Sequence, residues 1–421
     1  MAPVGRNSCA ILLSALALAV GVAVTTAAPA SAASPTDVTP VLFVGNNWDG
    51  TADVIKQGGT PSRPTFTRVA RLNIIPDIDQ RMAEILADPV RLAYFLAIRE
   101  FVGEGHDQFV DDMFASKEGR LLVVSRPSLA DVVGIDLNTG AIVWRFRVAG
   151  QRADHMAMSP DGSRVAVSAS TANVVHILDT YTGSEVARFP SGDSPHENNY
   201  SADGRLIYHA SIGLVYTPAD QPQFDSTKGD RRFQIVDTST NQIIKQYDMG
   251  QKLEEAGYPN MSSAVRPMAL TSDEGKVYFQ VSFFHGFVEF DFAQERVTRV
   301  ANLPNLVPDM PREQYLLDSA HHGIAINPEN TRLCVAGTMD DYAAVVDRDT
   351  FGHTLIFGGT KPYWVTNSQD GRYCFVSWSG DDKISAISYK TKSQVAQVPV
   401  GDHPQRMRIG NVTRAWLAAR Q

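Results

Sequence analysis

The sequence contains few cysteines and few positively charged residues, and these two shortages argue against a covalently attached haem and against a nucleic-acid partner. Only 3 of the 421 residues are Cys, and no Cys-x-x-Cys-His segment is present, so a covalently attached haem is not expected. Lys and Arg number 38 against 46 Asp and Glu, which gives a formal net charge of −8. Because phosphate backbones are bound by basic patches, nucleic acid is not expected as a partner.

Several sequence motifs of enzymes are also missing. There is no Gly-x-Ser-x-Gly nucleophile elbow, no Gly-rich phosphate loop and no dinucleotide fingerprint. No motif supports a quinone-dependent dehydrogenase. Beyond residue 32, no apolar run is long enough to span a bilayer, so no membrane span is expected there.

The first 32 residues have the composition of a secretory leader. Arg6 provides a positive end, an apolar run extends from Ile11 to Val24, and Ala30-Ser31-Ala32 is a small-x-small cleavage site. These features predict a signal peptide over 1–32, cleaved near Ala32, and a secreted protein. A retained membrane anchor is the less favoured alternative, because the apolar run is short for a spanning helix. Loss of Arg6 with the leader takes the net charge from −8 to −9.

A short motif recurs along the remaining chain with a period near 40 residues. Each copy is a Ser-x-Asp-Gly turn, or a relative of it, followed by a β-rich run. The clear copies begin at Ser159, Ser201 and Ser368, and the looser ones at Ser116, Thr271 and Asn327. A repeat of this length with a turn between two strands is typical of β-propeller blades.

The repeats predict an all-β fold, a seven-bladed β-propeller over residues 33–421. Each blade reads as four strands, a to d, and strand a begins near Phe109, His155, His196, Arg266, His322, Trp364 and Gln405. The last repeat supplies one strand only, whereas the N-terminal region supplies three without an inner partner, at Val41–Gly45, Ala52–Ile55 and Phe66–Leu72. We therefore expect the N-terminal strands to join the C-terminal blade and close the ring, which removes exposed sheet edges.

The Ser-Pro-Asp-Gly turns, seen at Ser159 and in variant form at Ser201 and Ser368, resemble those of the YVTN/YncE-type β-propeller family. The Trp-Asp and Gly-His signatures of WD40 repeats are absent. The resemblance covers most of the chain beyond the leader and implies the propeller fold. It leaves function open, since that family includes exported lactonase-like and lyase-like enzymes and non-catalytic binders.

The long insertions all fall on one face of the predicted ring. Turns between strands a and b are tight, whereas the other connections hold a helical insertion at 75–103 and loops at 215–231, 253–263 and 303–318. Asp77 and Asp88 are the expected N-caps of two helices in the insertion, with Pro89 at the first helical position. Long loops on one rim favour a lid or binding wall over neutral drift of surface loops.

Two cysteines follow the predicted leader, Cys334 and Cys374. A disulfide is feasible in an exported protein. Two separate buried thiols are the favoured interpretation, because equivalent strands of adjacent blades are expected to lie too far apart for a bridge.

The start of strand a in each blade should open onto the elaborated face around the axis. Five of the ten histidines lie at or beside these starts. The expected ring comprises Asp111, Asp112, His155, His196, Glu197, Arg266, His321, His322, Tyr363, Trp364, His403, Gln405 and Arg406. Ends of strand b should add His209, His285, Asp340 and Trp378 to the same funnel.

Three interpretations of this ring remain open. The first is a metal centre for Zn, Mn, Fe, Cu or Ca, since imidazoles and carboxylates are common metal ligands. The second is metal-free acid–base chemistry by histidine. The third is that the polar residues only bind water and join the blades. The candidate metal ligands are His196, Glu197, His321 and Asp112.

An enzyme is the favoured function. We expect catalytic roles for His155, His322, Tyr363 and Arg406, and substrate binding by Arg266, His209, Trp364, His403 and Trp378. The expected substrate is small and polar or carboxylate-bearing, including an oligosaccharide, and the expected reaction is of the lyase or hydrolase type. The alternative is a non-catalytic secreted propeller that presents this face to a protein or envelope partner. We expect a monomer.

Overall fold

The computed structural model describes residues 37–60, 62–214, 224, 227–315, 317 and 319–421. These residues form seven four-stranded antiparallel sheets arranged as blades in a ring, which confirms the predicted seven-bladed β-propeller. The predicted leader at 1–32 lies outside the described residues, as does most of the 215–231 loop. No helix among the described residues is both long and apolar enough to cross a membrane.

Each blade is built from strands that are consecutive in the chain, except at the closure. Blade 1 contains β4 to β7, which are Met113–Ala115, Leu121–Arg126, Asp131–Asp136 and Ile142–Arg147. Blade 2 contains β8 to β11, which are Ala153–Met158, Arg164–Ala169, Val174–Asp179 and Glu185–Pro190. Blade 3 contains β12 to β15, which are Pro195–Tyr200, Leu206–Ser211, Phe233–Asp237 and Gln242–Tyr247.

The next three blades follow the same order. Blade 4 contains β16 to β19, which are Val265–Leu270, Lys276–Val281, Gly286–Asp291 and Arg296–Asn302. Blade 5 contains β20 to β23, which are Ile324–Ile326, Arg332–Gly337, Tyr342–Asp347 and His353–Ile356. Blade 6 contains β24 to β27, which are Pro362–Asn367, Tyr373–Trp378, Lys383–Ser388 and Ser393–Pro399.

The closing blade joins the two ends of the described chain. It contains β1 to β3, which are Val38–Asn46, Thr51–Thr60 and Arg63–Asn73, and the C-terminal β28, Pro404–Thr413. The strand β28 pairs with β1 from Val38↔Thr413 to Asn46↔Pro404, which confirms the predicted closure. Each innermost strand also contacts the innermost strands of both neighbouring blades, so the ring is continuous around the axis.

The hydrophobic core lies between the blades rather than within them. Alternate residues of one strand pack toward opposite neighbours, as the two-residue period of a strand requires. In β5, Leu122 and Val124 join a cluster with the closing blade, whereas Leu121 and Val123 join one with blade 2. One cluster of buried side chains occupies each of the seven blade boundaries. No blade therefore buries its apolar faces without both neighbours.

The repeated turns are fixed by their own polar side chains. Ser201 Oγ donates to the Asp203 carboxylate at 2.8 Å, and the same carboxylate oxygen accepts the Arg205 N–H at 3.0 Å. Ser368 and Asp370 repeat this arrangement. Gly204 has a φ of +74°, a conformation that side chains with a Cβ disfavour, which explains the glycine in the motif.

The insertion between β3 and β4 forms two helices, α1 at Ile78–Leu86 and α2 at Pro89–Phe101. Asp88 caps α2 as predicted, because its side chain accepts the N–H groups of Val90 and Arg91. Asp77 precedes α1 but makes no capping bond. Its carboxylate instead binds the buried guanidinium of Arg126 at 2.6 Å, which attaches the insertion to blade 1. Two short helices, α3 at Met249–Glu255 and α4 at Arg414–Ala418, follow later in the chain.

Cys334 and Cys374 form a disulfide that joins blades 5 and 6, so the expectation of separate thiols is wrong. Their Cα atoms lie 6.4 Å apart, within the usual range for a bridge. The blades approach this closely because the surrounding cluster contains the small residues Ala325, Ala336 and Ala343.

Removal of the disulfide should destabilise the ring. We expect Cys334→Ala combined with Cys374→Ala to lower the free energy of unfolding by about 2–4 kcal/mol, because the bridge constrains the unfolded chain. Denaturant unfolding measured with and without a thiol reductant checks this. The reductant should lower the free energy of unfolding of the wild type and leave that of the double variant unchanged. A wild type whose unfolding is insensitive to the reductant would contradict the disulfide.

Candidate functional site

Three histidines from three blades meet at the axis of the ring. His155 lies in β8, His196 in β12, and His322 two residues before β20, and all three side chains are buried. The ring centroids of His155 and His196 are 3.7 Å apart, and each lies about 6 Å from that of His322. One nitrogen of each imidazole lies within 4.8 Å of one nitrogen of the other two. The predicted convergence of these side chains is therefore present.

A β-bulge at the axial mouth of each innermost strand places these residues. Where two residues of one strand oppose a single partner, the strand bends and its side chains are redirected. The register shifts occur at Ala153/Met156, Pro195/Glu197, Val265/Met268, Pro362/Val365 and, opposite β28, Val44/Asn46. Blades 1 and 5 show the same two-to-one pairing in their backbone hydrogen bonds. The backbone of Ser125 pairs with both Asp111 and Asp112, and the backbone of Ala336 pairs with both His322 and Gly323.

His155 is held between a carboxylate and a guanidinium. Its Nδ1 lies 2.8 Å from Glu197 Oε2, and its Nε2 contacts the guanidinium of Arg406. Burial raises the pKa of Glu197 to about 7. Glu197 follows His196 in β12, so this strand supplies one imidazole to the axis and orients a second.

Arg406 is fully buried near the axis and contacts both a carboxylate and an aromatic ring. Its Nε donates to Asp111 Oδ1 at 3.2 Å, and its guanidinium lies over the Trp364 ring at 4.1 Å from the centroid. Its Nη1 has no hydrogen-bond partner in the part of the chain that the structure describes. Trp364, expected to bind substrate, is itself 4% exposed and packs against Arg406.

The three axial imidazoles are neutral at neutral pH. Burial, together with the positive charge of Arg406, holds the pKa of His155 and of His322 well below the ordinary value. Burial and Arg266 do the same to the pKa of His196. The Nδ1 atom of His196 is buried without a hydrogen-bond partner among the described residues. Neutral imidazoles retain a nitrogen lone pair that can bind a cation.

An open cavity of about 110 Å³ lies beside the histidines. Its polar wall includes Arg152, Asp154, Asp111, Arg266 and Tyr363. Its apolar lining includes Phe101 and Val102 at the end of α2, Ile212 after β13 and Leu317 before β20. The helical insertion and the connection between β19 and β20 thus both reach the axial residues, as expected for a binding wall.

Charged groups in the cavity wall are positioned by the protein. Arg266 donates to Ser282 Oγ at 2.9 Å and to the Leu317 carbonyl at 2.7 Å. Arg152 Nη1 donates to Asp154 Oδ2 at 2.6 Å. Burial raises the pKa of Asp111 to about 6 and also raises that of Asp154. Asp154 and Arg152 were missed in the sequence, although Asp154 directly precedes His155.

Other predicted site residues lie away from this cavity. His209, in β13, is buried with its Nε2 2.7 Å from Ser191 Oγ and its Nδ1 3.0 Å from the Glu197 carbonyl oxygen. Trp378 is fully buried in the cluster between blades 5 and 6, and its Nε1 donates to Ser385 Oγ. Neither side chain lines the cavity.

The remaining predicted residues also have local partners. His403 stacks on Trp48 with ring centroids 3.7 Å apart. Asp112 accepts a bidentate pair of hydrogen bonds from Arg408 at 2.8 and 2.7 Å. His321 turns away from its neighbour His322 and lies 3.0 Å from Asp340. Tyr363 stacks on the His322 ring at 4.2 Å, and burial raises its pKa, so it stays protonated.

The chain matches no protein-family model. It also matches no curated protein sequence. Among solved structures, it is similar to one titled Kuenenia stuttgartiensis Hydrazine Synthase, with a TM-score of 0.54 and 14% sequence identity. The match covers 73% of this chain and 96% of that chain. A likeness at this level of identity establishes a shared fold and nothing further.

Proposed function

We propose that this protein is a secreted enzyme whose axial histidines bind a divalent transition metal and whose cavity binds a small carboxylate-bearing substrate. The reaction is of the lyase or hydrolase type, and a uronic acid sugar is the substrate class that best fits. The observation that carries the proposal is the convergence of His155, His196 and His322, three buried neutral imidazoles, beside an open cavity. We place the chain among the YVTN/YncE-type propellers on its turn motifs.

A bound metal would account for three imidazoles being buried together at the axis. Burying an unpaired polar nitrogen is unfavourable unless another group binds it, and His196 Nδ1 has no partner among the described residues. Three histidine ligands with remaining open positions are a known arrangement of catalytic zinc sites. Imidazole ligands favour Zn, Fe or Cu over Ca. The carboxylate of Glu197 against His155 is the usual outer partner of a metal-binding histidine.

Arg406 sets a condition on metal binding at His155. Its guanidinium contacts His155 Nε2, the imidazole nitrogen that Glu197 does not occupy, and a bound cation would repel it. Asp111 lies on the other side of the guanidinium, at 3.2 Å from Arg406 Nε. We infer that Arg406 moves toward Asp111 when the cation binds.

The cavity wall fits an anionic substrate with an acidic C–H or a hydrolysable bond. Arg266 is fixed by Ser282 and by the Leu317 carbonyl, so it presents its charge in a defined direction. The metal would act as a Lewis acid on the substrate carboxylate or carbonyl. Asp111, whose pKa burial raises to about 6, is a suitable general base. The strongly lowered pKa values of His155 and His322 favour ligand roles over the catalytic roles expected from sequence.

Metal content tests the first half of this proposal. We expect purified protein to bind Zn²⁺ or Mn²⁺, and His196→Ala and His322→Ala each to weaken that binding by at least about 100-fold, because each removes a nitrogen ligand. His353→Ala is the matched control, since that imidazole is exposed. Elemental analysis and calorimetric titration measure this. Equal affinity in His322→Ala and His353→Ala would overturn the axial metal site.

Substrate charge tests the second half. Uronate polymers and lactones should be screened with and without a chelator, and turnover should depend on metal. On a carboxylate substrate, Arg266→Met should raise KM by about 10- to 100-fold, the loss expected for a charged hydrogen bond. For the methyl ester of the same substrate, Arg266→Met should leave KM unchanged. Arg332→Met is the matched control and should leave KM for the carboxylate substrate unchanged, because the guanidinium of Arg332 pairs with Asp347 in blade 5. Metal binding without any turnover would instead indicate a non-catalytic propeller.

A further inference from the structure

A second cluster of metal-type side chains lies at the junction of blades 4 and 5. His285 follows β17, His321 precedes β20 and Asp340 follows β21, and all three are buried. His321 is the chain neighbour of the axial His322, but its ring faces this cluster and not the axial cavity. The axial chemistry proposed above does not use these three residues.

The donor atoms of the cluster converge on one point. His285 Nδ1 lies 2.7 Å and His321 Nε2 lies 3.0 Å from the same carboxylate oxygen, Asp340 Oδ2. Ligands that share one tetrahedral Zn²⁺ at about 2.0–2.2 Å lie about 3.3–3.6 Å from one another, so lengthening these two distances by less than about 1 Å would admit a cation. Tyr342 contributes a further oxygen, 3.3 Å from His321 Nε2, and its hydroxyl donates to the Pro304 carbonyl.

Two of the three outer atoms of the same side chains have separate partners. His285 Nε2 lies 2.9 Å from the Tyr315 hydroxyl, and Asp340 Oδ1 accepts the Leu306 N–H at 2.7 Å. Metal ligands are typically oriented in this way by partners on the atoms that do not face the ion. His321 Nδ1 is buried and has no hydrogen-bond partner within the described residues.

We propose that His285, His321 and Asp340 form a second divalent-cation site. Two imidazoles and one carboxylate form a known ligand set for first-row transition metals, with open positions left for the Tyr342 oxygen or water. In the cation-free state, His285 Nδ1–H and His321 Nε2–H both donate to Asp340. On binding, each imidazole keeps one proton but moves it to the other nitrogen, and His285 Nε2–H then donates to Tyr315. No net proton is released.

The site is structural and stabilises part of the axial cavity wall. Leu306 and Tyr315 belong to the connection between β19 and β20, which the cluster holds against blades 4 and 5. The same connection continues to Leu317, which lines the axial cavity and accepts a hydrogen bond from Arg266. A cation at this cluster would therefore order the loop that positions Arg266.

The test uses cation stoichiometry in a background without the axial site. Zn²⁺ and Co²⁺ are titrated into the full-length wild type, the double variant His196→Ala/His322→Ala, and that double variant with Asp340→Asn added. We expect two, one and no bound cations, respectively, and a Co²⁺ visible spectrum that persists in the double variant. The double variant with His353→Ala added, a matched control, should still bind one cation.

The proposal fails if the double variant binds no cation, or if adding Asp340→Asn leaves its stoichiometry unchanged. A wild type that binds one cation, lost in Asp340→Asn but kept in His322→Ala, would support this site and overturn the axial one. Near-ultraviolet circular dichroism establishes that each variant is folded, and His285→Gln replaces Asp340→Asn if the latter unfolds. Zn²⁺ should also slow proteolysis between residues 303 and 315 in the wild type but not in Asp340→Asn.

Discussion

Packing between blades is the interaction on which the rest of the structure depends. Each blade boundary has its own apolar cluster, and a strand such as β5 divides its side chains between two of them. The ring is complete only because β28 pairs with β1. Closure brings the first residues of seven distant strands to one axis, and it is this geometry that places His155, His196 and His322 together although they are 41 and 126 residues apart in the chain.

The axial site combines this geometry with an unusual electrostatic environment. Bulges at the mouths of the innermost strands aim polar residues inward. Burial and the guanidinium of Arg406 then keep the imidazoles neutral, while burial raises the pKa of Asp111 to about 6. The neutral imidazole nitrogens could bind a cation, and the neighbouring Arg266 could bind an anionic ligand. In the proposed site, Arg406 and a metal ion would compete for His155, because the guanidinium contacts His155 Nε2.

The fold was predictable from the sequence because the Ser-x-Asp-Gly turns recur with the period of a blade and the unpaired terminal strands require closure. The convergence of histidines followed from that symmetry. Side-chain directions did not, because neighbouring residues on a strand face opposite ways. His321 and His322 thus enter different clusters, and His209 and Trp378 face the blade boundaries. The bulges that redirect side chains, and the small residues that let Cys334 reach Cys374, depend on packing between distant segments.

The most direct measurement of the central claim is anomalous diffraction from crystals grown with Zn²⁺ or Mn²⁺, recorded on both sides of the metal absorption edge. The account predicts a peak within about 2.0–2.2 Å of one nitrogen each of His155, His196 and His322. It also predicts the guanidinium of Arg406 displaced toward Asp111. A map with no peak at the axis, and with Arg406 still against His155 Nε2, would contradict it.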